Sequence, residues 1–202
     1  VEAGVALGAL DAIAFGRGPG AFTGVRLAAS VTQGLAFGAG LGVVPVSDLR
    51  ALAQRALAGA AGEGGESAAR VLACMDARMR EVYWGCYERV VELAVPVGEE
   101  RVGDPGAVTL PAAWGGHDPG PGPAQAAGGG MQGVGSGFSA YPQLRAALGS
   151  RLGRILAELR PRAAEIALLA SAEVAAGRVF PAEQALPVYV RDEVVRAPGG
   201  SH

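Results

Sequence analysis

The sequence predicts an α/β fold, because short apolar runs typical of buried strands lead into runs with helical spacing. Residues 10–15 form a mostly apolar run, residues 16–20 form a turn with three glycines and a proline, and a helical run follows over residues 23–36. The apolar run 41–46 leads into a second helical run in the same way. A continuous apolar run over residues 71–75 is typical of a strand buried on both faces.

The composition indicates a chain with a substantial core and no strong electrostatic field. The 202 residues are 50% hydrophobic with a mean hydropathy of +0.28, enough for one sizeable core or two small lobes. A net charge of −2 excludes attraction of RNA or anionic lipid by bulk charge. The sequence shows neither a signal peptide nor an apolar run of membrane-spanning length. We therefore expect a cytoplasmic protein with no membrane partner.

Few residues carry the nitrogen or sulfur side chains that bind metals such as zinc, since the chain has two histidines and two cysteines. Cys74 and Cys86 lie in strand-like apolar runs and are expected to be buried small hydrophobes in a reducing compartment. His117 lies alone in a segment rich in Gly, Pro and Ala, and His202 is the last residue. The sequence contains no His-x-x-x-His, Cys-x-x-Cys or nucleophile elbow. We therefore predict no catalytic residue and no metal ligand.

The glycine turn at residues 16–20 lies where a strand meets a helix. This order can aim backbone N–H groups and the positive end of a helix at an anion or at the backbone of a partner. The spacing is not G-x-G-x-x-G and no Gly-Lys-Ser/Thr follows, so neither dinucleotide nor P-loop binding applies. The other interpretation is a tight turn without a ligand.

The helical run 23–36 carries small side chains at helical spacing. They allow another element to approach closely, either a sheet of the same chain or a helix of a partner, and the pattern leaves both open. The candidate interface residues are Val25, Ala28, Ala29, Thr32, Leu35 and Ala36.

The second helical run begins after Ser47, a plausible N-cap, and ends at Gly59. Residues 59–67 are rich in Gly and Glu and are the best candidate for a linker between lobes, so we divide the chain into residues 1–66 and 67–202. The apolar stripe of this helix consists of Leu49, Leu52, Ala53, Ala56 and Leu57.

Alternation over residues 81–91 predicts an antiparallel hairpin, with Val82, Trp84 and Cys86 on one side. Asp76 stands just before its turn. A carboxylate at a strand end could bind a metal or a ribose, but no His or second acidic residue lies near it in sequence. A turn aspartate bonded to nearby backbone amides is therefore favoured.

The last third of the chain combines a low-complexity segment with two more helices. Residues 111–130 are rich in Gly and Pro and predict a loop or disordered insertion, and a disordered tail is expected over residues 197–202. Residues 131–137 read as a strand running into a glycine turn that either approaches a nucleotide phosphate or is a structural bend. A helix with Pro142 in its first turn follows, and another is expected to start at Pro161. The candidate nucleotide loop consists of Gly133, Gly135 and Gly137.

Residues 16–26, Gly-Arg-Gly-Pro-Gly-Ala-Phe-Thr-Gly-Val-Arg, resemble the signature of the TsaB family, also called YeaZ, with Ala21 where the family usually has Ser. Residues 76–84, 133–137 and 186–194 agree with the family in the same order, so the resemblance spans nearly the whole chain. The chain departs at its start, where the family has a strand hairpin, an acidic residue and a long helix.

The resemblance implies an actin/hexokinase-like (ribonuclease H-like) α/β fold with two related lobes, the first lacking its N-terminal hairpin. It implies a non-catalytic sibling of TsaD, which carries metal-binding histidines and performs the transfer chemistry. The implied role is an accessory subunit in forming threonylcarbamoyladenosine next to the anticodon of tRNA. The chain would then not be an enzyme by itself.

The resemblance also implies the partners. These are TsaD and TsaE homologues, a second copy of the chain when it is alone, and tRNA only through the complex. The small-residue helix face would pack against the equivalent helix of TsaD or of a second copy. No cofactor is assigned to the chain itself, and any ATP or ADP is expected to be bound through the complex.

An enzyme remains the alternative from the residues themselves. A nucleotide-dependent small-molecule phosphotransferase of the actin/hexokinase-like class would use Asp76 as base and the loop 133–137 as phosphate cradle. The absence of a first phosphate-binding hairpin and of any lysine counts against it. A protease-like hydrolase would lack both nucleophile and base.

Overall fold

The computed structural model describes residues 4–59, 70–114 and 131–190. Most of the predicted linker 59–67 and most of the predicted loop 111–130, with His117, lie outside the described residues. The predicted tail 197–202, with His202, also lies outside them. The α/β alternation predicted from the sequence is confirmed, as two sheets with helices packed on them.

The first of the two sheets, here called the N-terminal sheet, is a β-α-β unit. Strands β1 (Ala12–Gly16) and β2 (Gly42–Val46) are parallel, with Phe15 opposite Pro45. Helix α1 (Phe22–Ala39) makes the crossover. Gly40, with φ of +66°, ends this helix in the left-handed region, where it donates its N–H to the carbonyls of the last turn. The glycine turn lies at the carboxyl end of β1, between this strand and the first residue of α1.

The second sheet, here called the C-terminal sheet, has six strands among the described residues. They are β3 (Arg70–Arg78), β4 (Glu81–Val90), β5 (Leu93–Pro96), β6 (Arg101–Gly103), β7 (Met131–Val134) and β8 (Leu152–Leu156). Their order in the sheet is β5-β4-β3-β7-β8, and β6 also pairs with β4. Strands β3, β7 and β8 are parallel, whereas β4 is antiparallel to β3, β5 and β6.

The β3–β4 hairpin confirms the predicted alternation. Val82, Trp84 and Cys86 pack in one core cluster, while Tyr87 packs in another on the opposite face of the sheet. Because successive side chains of a strand point to opposite faces, one strand contributes to two cores. At the tip, residues 78–80 all have positive φ although none is glycine, a conformation that marks a tightly held turn.

Helix α2 (Asp48–Gly59) packs its apolar stripe against the C-terminal sheet. Ser47 caps it as predicted, since its Oγ accepts a hydrogen bond from the Arg50 N–H at 3.2 Å. Helices α3 (Gly137–Ala140) and α4 (Pro142–Leu148) lie against the other core cluster of this sheet. The α2 residues that are fully or almost fully buried include the whole predicted stripe: Leu49, Leu52, Ala53, Ala56 and Leu57.

The last part of the described chain returns to the N-terminal sheet. Helix α5 (Ala163–Ala175), which begins two residues after Pro161, buries Leu169 and Ala170 against β2 and α2. Phe180 then forms an antiparallel bridge with Val43. A division of the chain at residue 66 therefore does not describe the packing, because residues 163–188 complete the core of the first sheet. No helix among the described residues is long and apolar enough to cross a bilayer.

Candidate functional site

The glycine turn between β1 and α1 uses its backbone groups within the protein. Arg17 donates its N–H to the Val46 carbonyl at 2.9 Å, and its own carbonyl accepts the N–H of Val188 at 2.8 Å. The Gly18 carbonyl accepts the Asp48 N–H at 2.9 Å. The turn is thus a junction that ties β1 to β2, α2 and the C-terminal segment. Of the two interpretations of this turn, the geometry favours internal packing over an anion cradle.

The Asp48 carboxylate lies so close to residue 16 that only glycine fits at this position. A Cβ on Gly16 would overlap the Asp48 side chain, so only glycine leaves room for that group beneath β1. The pKa of Asp48 is raised to about 6, mainly by burial and also by the charge of Glu100, while the Gly18 backbone and Arg17 oppose the shift. A carboxyl that titrates near neutral pH is consequently held under the turn.

Glu100 is the second carboxylate at this junction. It accepts hydrogen bonds from the hydroxyls of Ser47 and Tyr87, the latter at 2.7 Å. Its other oxygen lies 3.7 Å from the Arg17 guanidinium. Ser47 precedes α2 and Arg17 lies in the glycine turn, whereas Tyr87 and Glu100 belong to the C-terminal sheet and its connection. The cluster therefore joins the two sheets through charge and hydrogen bonds.

A cleft of about 650 Å³ opens beside this cluster. On its other side, Glu173 of α5 pairs with both Arg50, at 3.0 Å, and Arg178. These two arginines lower the pKa of Glu173, mainly through the hydrogen bond from Arg178. Charges in the cleft are arranged as internal ion pairs, an arrangement suited to holding elements together.

Most residues of the predicted partner face on α1 pack within the chain itself. The predicted residues are spaced so that they share one face of the helix, but that face packs mainly on the chain's own N-terminal sheet. Ala29 and Ala36 lie in a cluster with Phe15 and Val43. Ala182 and Ala185, which follow α5, close that cluster from the far end of the chain. Four of the six predicted interface residues are buried: Val25, Ala29, Thr32 and Ala36. Ala28 is half-buried, and Leu35 is 46% exposed.

A second apolar face runs along the opposite side of α1. Leu27 and Val31 are 63% and 51% exposed, and with Leu35 they are spaced four residues apart, about one helical turn. The glycines on this side of the helix, Gly34 and Gly38, have no atom within 4 Å of a Cβ position, so no packing within the described residues calls for them. We call this the outer face of α1, and it consists of Gly24, Leu27, Val31, Gly34, Leu35 and Gly38.

The outer face is continuous with a groove. Ala28, Val31 and Leu35 form one wall of an open, mainly apolar groove of about 1060 Å³, and β1 and α5 form the rest. Within the described residues, β1 is paired with β2 alone. Helix α1 therefore borders an extended, mainly apolar groove.

The candidate nucleotide loop owes its glycines to packing. A Cβ on Gly135, which has φ of +105°, would overlap the Cys74 carbonyl, and a Cβ on Gly137 would lie 2.9 Å from the Cys74 Cβ. A Cβ on Gly133 would lie 2.7 Å from the Phe138 ring. The three glycines let β7 and α3 approach β3 and a neighbouring aromatic ring, so the structural bend is the interpretation that the geometry favours.

Asp76 is engaged as a turn aspartate. Its Oδ1 accepts the Arg78 N–H at 2.8 Å and the Tyr141 hydroxyl at 2.9 Å, and Oδ2 lies 3.2 Å from the Arg78 guanidinium. Its backbone N–H donates to Ser136 Oγ at 3.1 Å. The predicted bond to a nearby backbone amide is confirmed. Among the described residues, no group of three or more His, Cys, Asp or Glu side chains is placed to hold a metal ion.

Sequence reasoning missed two groups of residues. Ser47 was predicted only as the cap of α2, and no motif connects it with Glu100, which lies 53 residues further on. Phe22, Arg26 and Tyr189 form an exposed stack at the start of α1, although each belongs to a segment that the sequence analysis singled out. The signal for the stack was the i, i+4 spacing of Phe22 and Arg26, but its third member comes from the far end of the chain.

Comparisons with known proteins agree over nearly the whole chain. The family model of TsaD, described as tRNA N6-adenosine threonylcarbamoyltransferase, matches residues 1–192. The tRNA threonylcarbamoyladenosine biosynthesis protein TsaB of Escherichia coli (strain K12) is 39% identical over 194 residues, 95% of this chain and 75% of that protein. The protein of the same name from Haemophilus influenzae (strain ATCC 51907 / DSM 11121 / KW20 / Rd) is 52% identical over 83 residues, 41% of this chain and 33% of that protein.

Solved structures show the same relationship in three dimensions. A Pseudomonas aeruginosa protein described as similar to peptidase YEAZ superposes with a TM-score of 0.77 at 45% identity, covering 94% of this chain and 78% of that one. YeaZ from the same organism superposes with a TM-score of 0.76 at 44% identity, covering 93% and 78% of the two chains.

Proposed function

This chain belongs to the TsaB (YeaZ) family, and from that premise we propose that it is a non-catalytic subunit that binds and orients a TsaD-type transferase. Its role is in the formation of threonylcarbamoyladenosine in tRNA. The fold is the actin/hexokinase-like α/β fold that the sequence predicted. The finer statement, that the chain acts through a partner, is supported by the arrangement of its own residues.

The candidate catalytic groups support an accessory role because they are engaged in structure. Asp76, the base of the alternative phosphotransferase, accepts three bonds from its own neighbourhood. The glycines of the candidate nucleotide loop have no room for side chains, because Cys74 and Phe138 occupy the space beside them. The family relatives do not favour the phosphotransferase either.

The outer face of α1 supports binding of a partner that shares this fold. The TsaD model matches residues 1–192, so transferase and subunit have corresponding helices. Two related chains can pair through the same helix about a pseudo-two-fold axis, as identical chains do about a true one. Glycines at positions 34 and 38 would let the two backbones approach, while Leu27 and Val31 would lose their exposure to water. We propose the corresponding helix of the TsaD homologue as the occupant, and a second copy of the chain when the transferase is absent.

The remaining assignments follow from the same proposal. A TsaE homologue would join the complex, tRNA would be contacted through the complex, and ATP or ADP would be bound by the complex. The setting would be the cytoplasm. Orientation of the transferase by binding requires only a differential affinity of a few kcal/mol between its conformations.

The test is Val31→Glu, measured by titration calorimetry against the TsaD homologue of the same genome. Because a charge would be buried in the interface, we expect the affinity to fall by roughly 30-fold or more. Phe37→Glu adds the same charge on α1 at a position that is 72% exposed and lies outside the outer face, and it is the matched control. Circular dichroism should show both variants folded. Unchanged affinity of Val31→Glu would remove the outer face as the binding site.

A further inference from the structure

Three exposed side chains form an ordered stack at the beginning of α1. The Arg26 guanidinium carbon lies 3.6 Å from the centroid of the Phe22 ring and 5.6 Å from that of Tyr189. The Arg26 Nε donates a hydrogen bond to the Tyr189 hydroxyl at 2.7 Å. Phe22 and Tyr189 remain 57% and 45% exposed. The stack is therefore a feature of the surface and not a part of the core.

The stack holds the arginine in place from both ends of the chain. Phe22 and Arg26 are one turn apart on α1, and the next residues along α1 include Leu27 of the outer face. Tyr189 belongs to a segment that is itself anchored, since Val188 donates its N–H to the Arg17 carbonyl at 2.8 Å. An exposed arginine normally loses side-chain entropy when it is immobilised by a ligand. Here the ring contacts and the Nε bond have already ordered it.

The ordered guanidinium retains unused donors. Arginine has five N–H donors, and Nε is the one engaged with Tyr189. Among residues 4–59, 70–114 and 131–190, neither terminal nitrogen of Arg26 has a hydrogen bond or an ion pair. A planar fork with free N–H groups matches a carboxylate in a bidentate arrangement. Exposed aromatic rings beside an arginine are also typical of the few residues that dominate protein interfaces.

We propose that the Phe22–Arg26–Tyr189 stack is a docking anchor for a carboxylate side chain of the protein partner. The carboxylate would bind the Arg26 guanidinium between the ring edges, beside the N-terminal part of the outer face. This inference rests on the proposed function, because it names a second contact of the same partner. A nucleic-acid phosphate is disfavoured by the net charge of −2, and the guanidinium already covers one face of the Phe22 ring.

The experiment uses the full chain and the TsaD homologue of the same genome, with affinities measured by titration calorimetry at low and high NaCl. We expect Arg26→Ala and Arg26→Gln to weaken binding by about 10-fold at low salt and to reduce its salt dependence, since one ion pair is lost. Arg26→Gln removes the charge but keeps part of the stem and two N–H donors, so its comparison with Arg26→Ala shows how much a neutral polar side chain restores. Phe37→Ala removes a ring that is 72% exposed at the other end of α1 and should bind like the wild type.

The outcomes separate this inference from the proposed function. If Arg26→Ala and Arg26→Gln bind like the wild type while Val31→Glu does not, the anchor is wrong and the outer face stands. If none of the three variants changes the affinity, both proposals fail. In a parallel titration, fluorescence anisotropy of a labelled 12-nucleotide oligo(U) should show no binding. Saturable binding of oligo(U) that is lost in Phe22→Leu would show that the stack binds nucleic-acid bases, and the proposed carboxylate ligand would then be wrong.

Discussion

The Ser47 hydroxyl donates a hydrogen bond to the Glu100 carboxylate, which joins the cap of α2 to the connection between β5 and β6. The same carboxylate accepts the Tyr87 hydroxyl, and Arg17 of the glycine turn lies 3.7 Å from it. Its side chain is 14% exposed. One partly buried glutamate therefore holds the glycine turn, α2 and the C-terminal sheet in a single arrangement.

Loss of the Glu100 carboxylate should destabilise the whole chain. Glu100→Ala leaves two buried hydroxyls and an arginine without their acceptor, and we expect the free energy of unfolding to fall by about 3 kcal/mol. Glu100→Gln retains an acceptor oxygen and should lose about 1 kcal/mol. Urea unfolding followed by circular dichroism measures both. Glu99→Ala, at an exposed neighbouring position, is the control and should change stability little. Equal stability of Glu100→Ala and wild type would show that the cluster is dispensable.

Asp48 should make stability depend on pH. Its pKa is raised from 3.8 to about 6 in the folded chain, mainly by burial, so the folded state binds the proton more tightly than the unfolded state. This contribution to stability is complete below about pH 4 and is lost as pH rises through about 6.

Asp48→Asn removes that titration. We expect the variant to gain stability relative to wild type as pH rises from 4 to 7, by an amount on the order of 2 kcal/mol. Urea midpoints measured at several pH values test this. A constant difference between variant and wild type over this range would contradict the raised pKa.

Gly135→Ala should be severely destabilising. The new methyl would meet the Cys74 carbonyl in a backbone conformation, φ of +105°, that only glycine adopts readily. We expect a loss of about 3 kcal/mol or more in the free energy of unfolding. Gly149→Ala is the matched control, because Gly149 also has positive φ but no atom within 4 Å of its Cβ position. It should lose only about 1 kcal/mol. Similar losses for the two variants would mean that space at Gly135 is not limiting.

Charge on the two faces of α1 should have opposite consequences. Ala29 is 4% exposed, so Ala29→Glu buries an unpaired carboxylate against the N-terminal sheet and should prevent folding of that sheet. Val31→Glu, two residues further on, should leave the thermal midpoint within a few degrees of wild type. Thermal unfolding followed by circular dichroism distinguishes them. A folded Ala29→Glu protein that fails to bind the transferase would support the other face of α1, the inner face that packs on the N-terminal sheet, as the interface.

Both cysteines should be unreactive in the folded chain. Burial raises the pKa of Cys86 to about 12 and that of Cys74 well above its ordinary value, which suppresses the nucleophilic thiolate. Iodoacetamide at pH 8 should leave the native protein unlabelled by mass spectrometry and should modify both thiols in urea. Rapid labelling of native Cys74 would show that β3 opens readily.

Local sequence patterns predicted much of the architecture. The β1–turn–α1 unit, the α2 stripe and the β3–β4 hairpin each rest on side-chain periodicity or turn chemistry within about 20 residues. Asp76 was interpreted correctly because its main partner, the Arg78 N–H, is two residues away. The local pattern did not show that most of the candidate interface residues pack on the chain's own N-terminal sheet, because α1 is apolar on two faces. Ala182 and Ala185, which help to cover the inner face, come from the far end of the chain.

The sequence by itself determined the β1–turn–α1 unit, the apolar stripe of α2, the β3–β4 hairpin, the cap at Ser47 and the family, because these depend on residues close to one another or on a recurring motif. Only the tertiary structure decided which side of α1 meets water, why Gly135 cannot carry a side chain, and that Glu100 joins the two sheets. Each of these depends on contacts between segments tens of residues apart. Such contacts are set by packing the whole chain at once, and no local pattern specifies them.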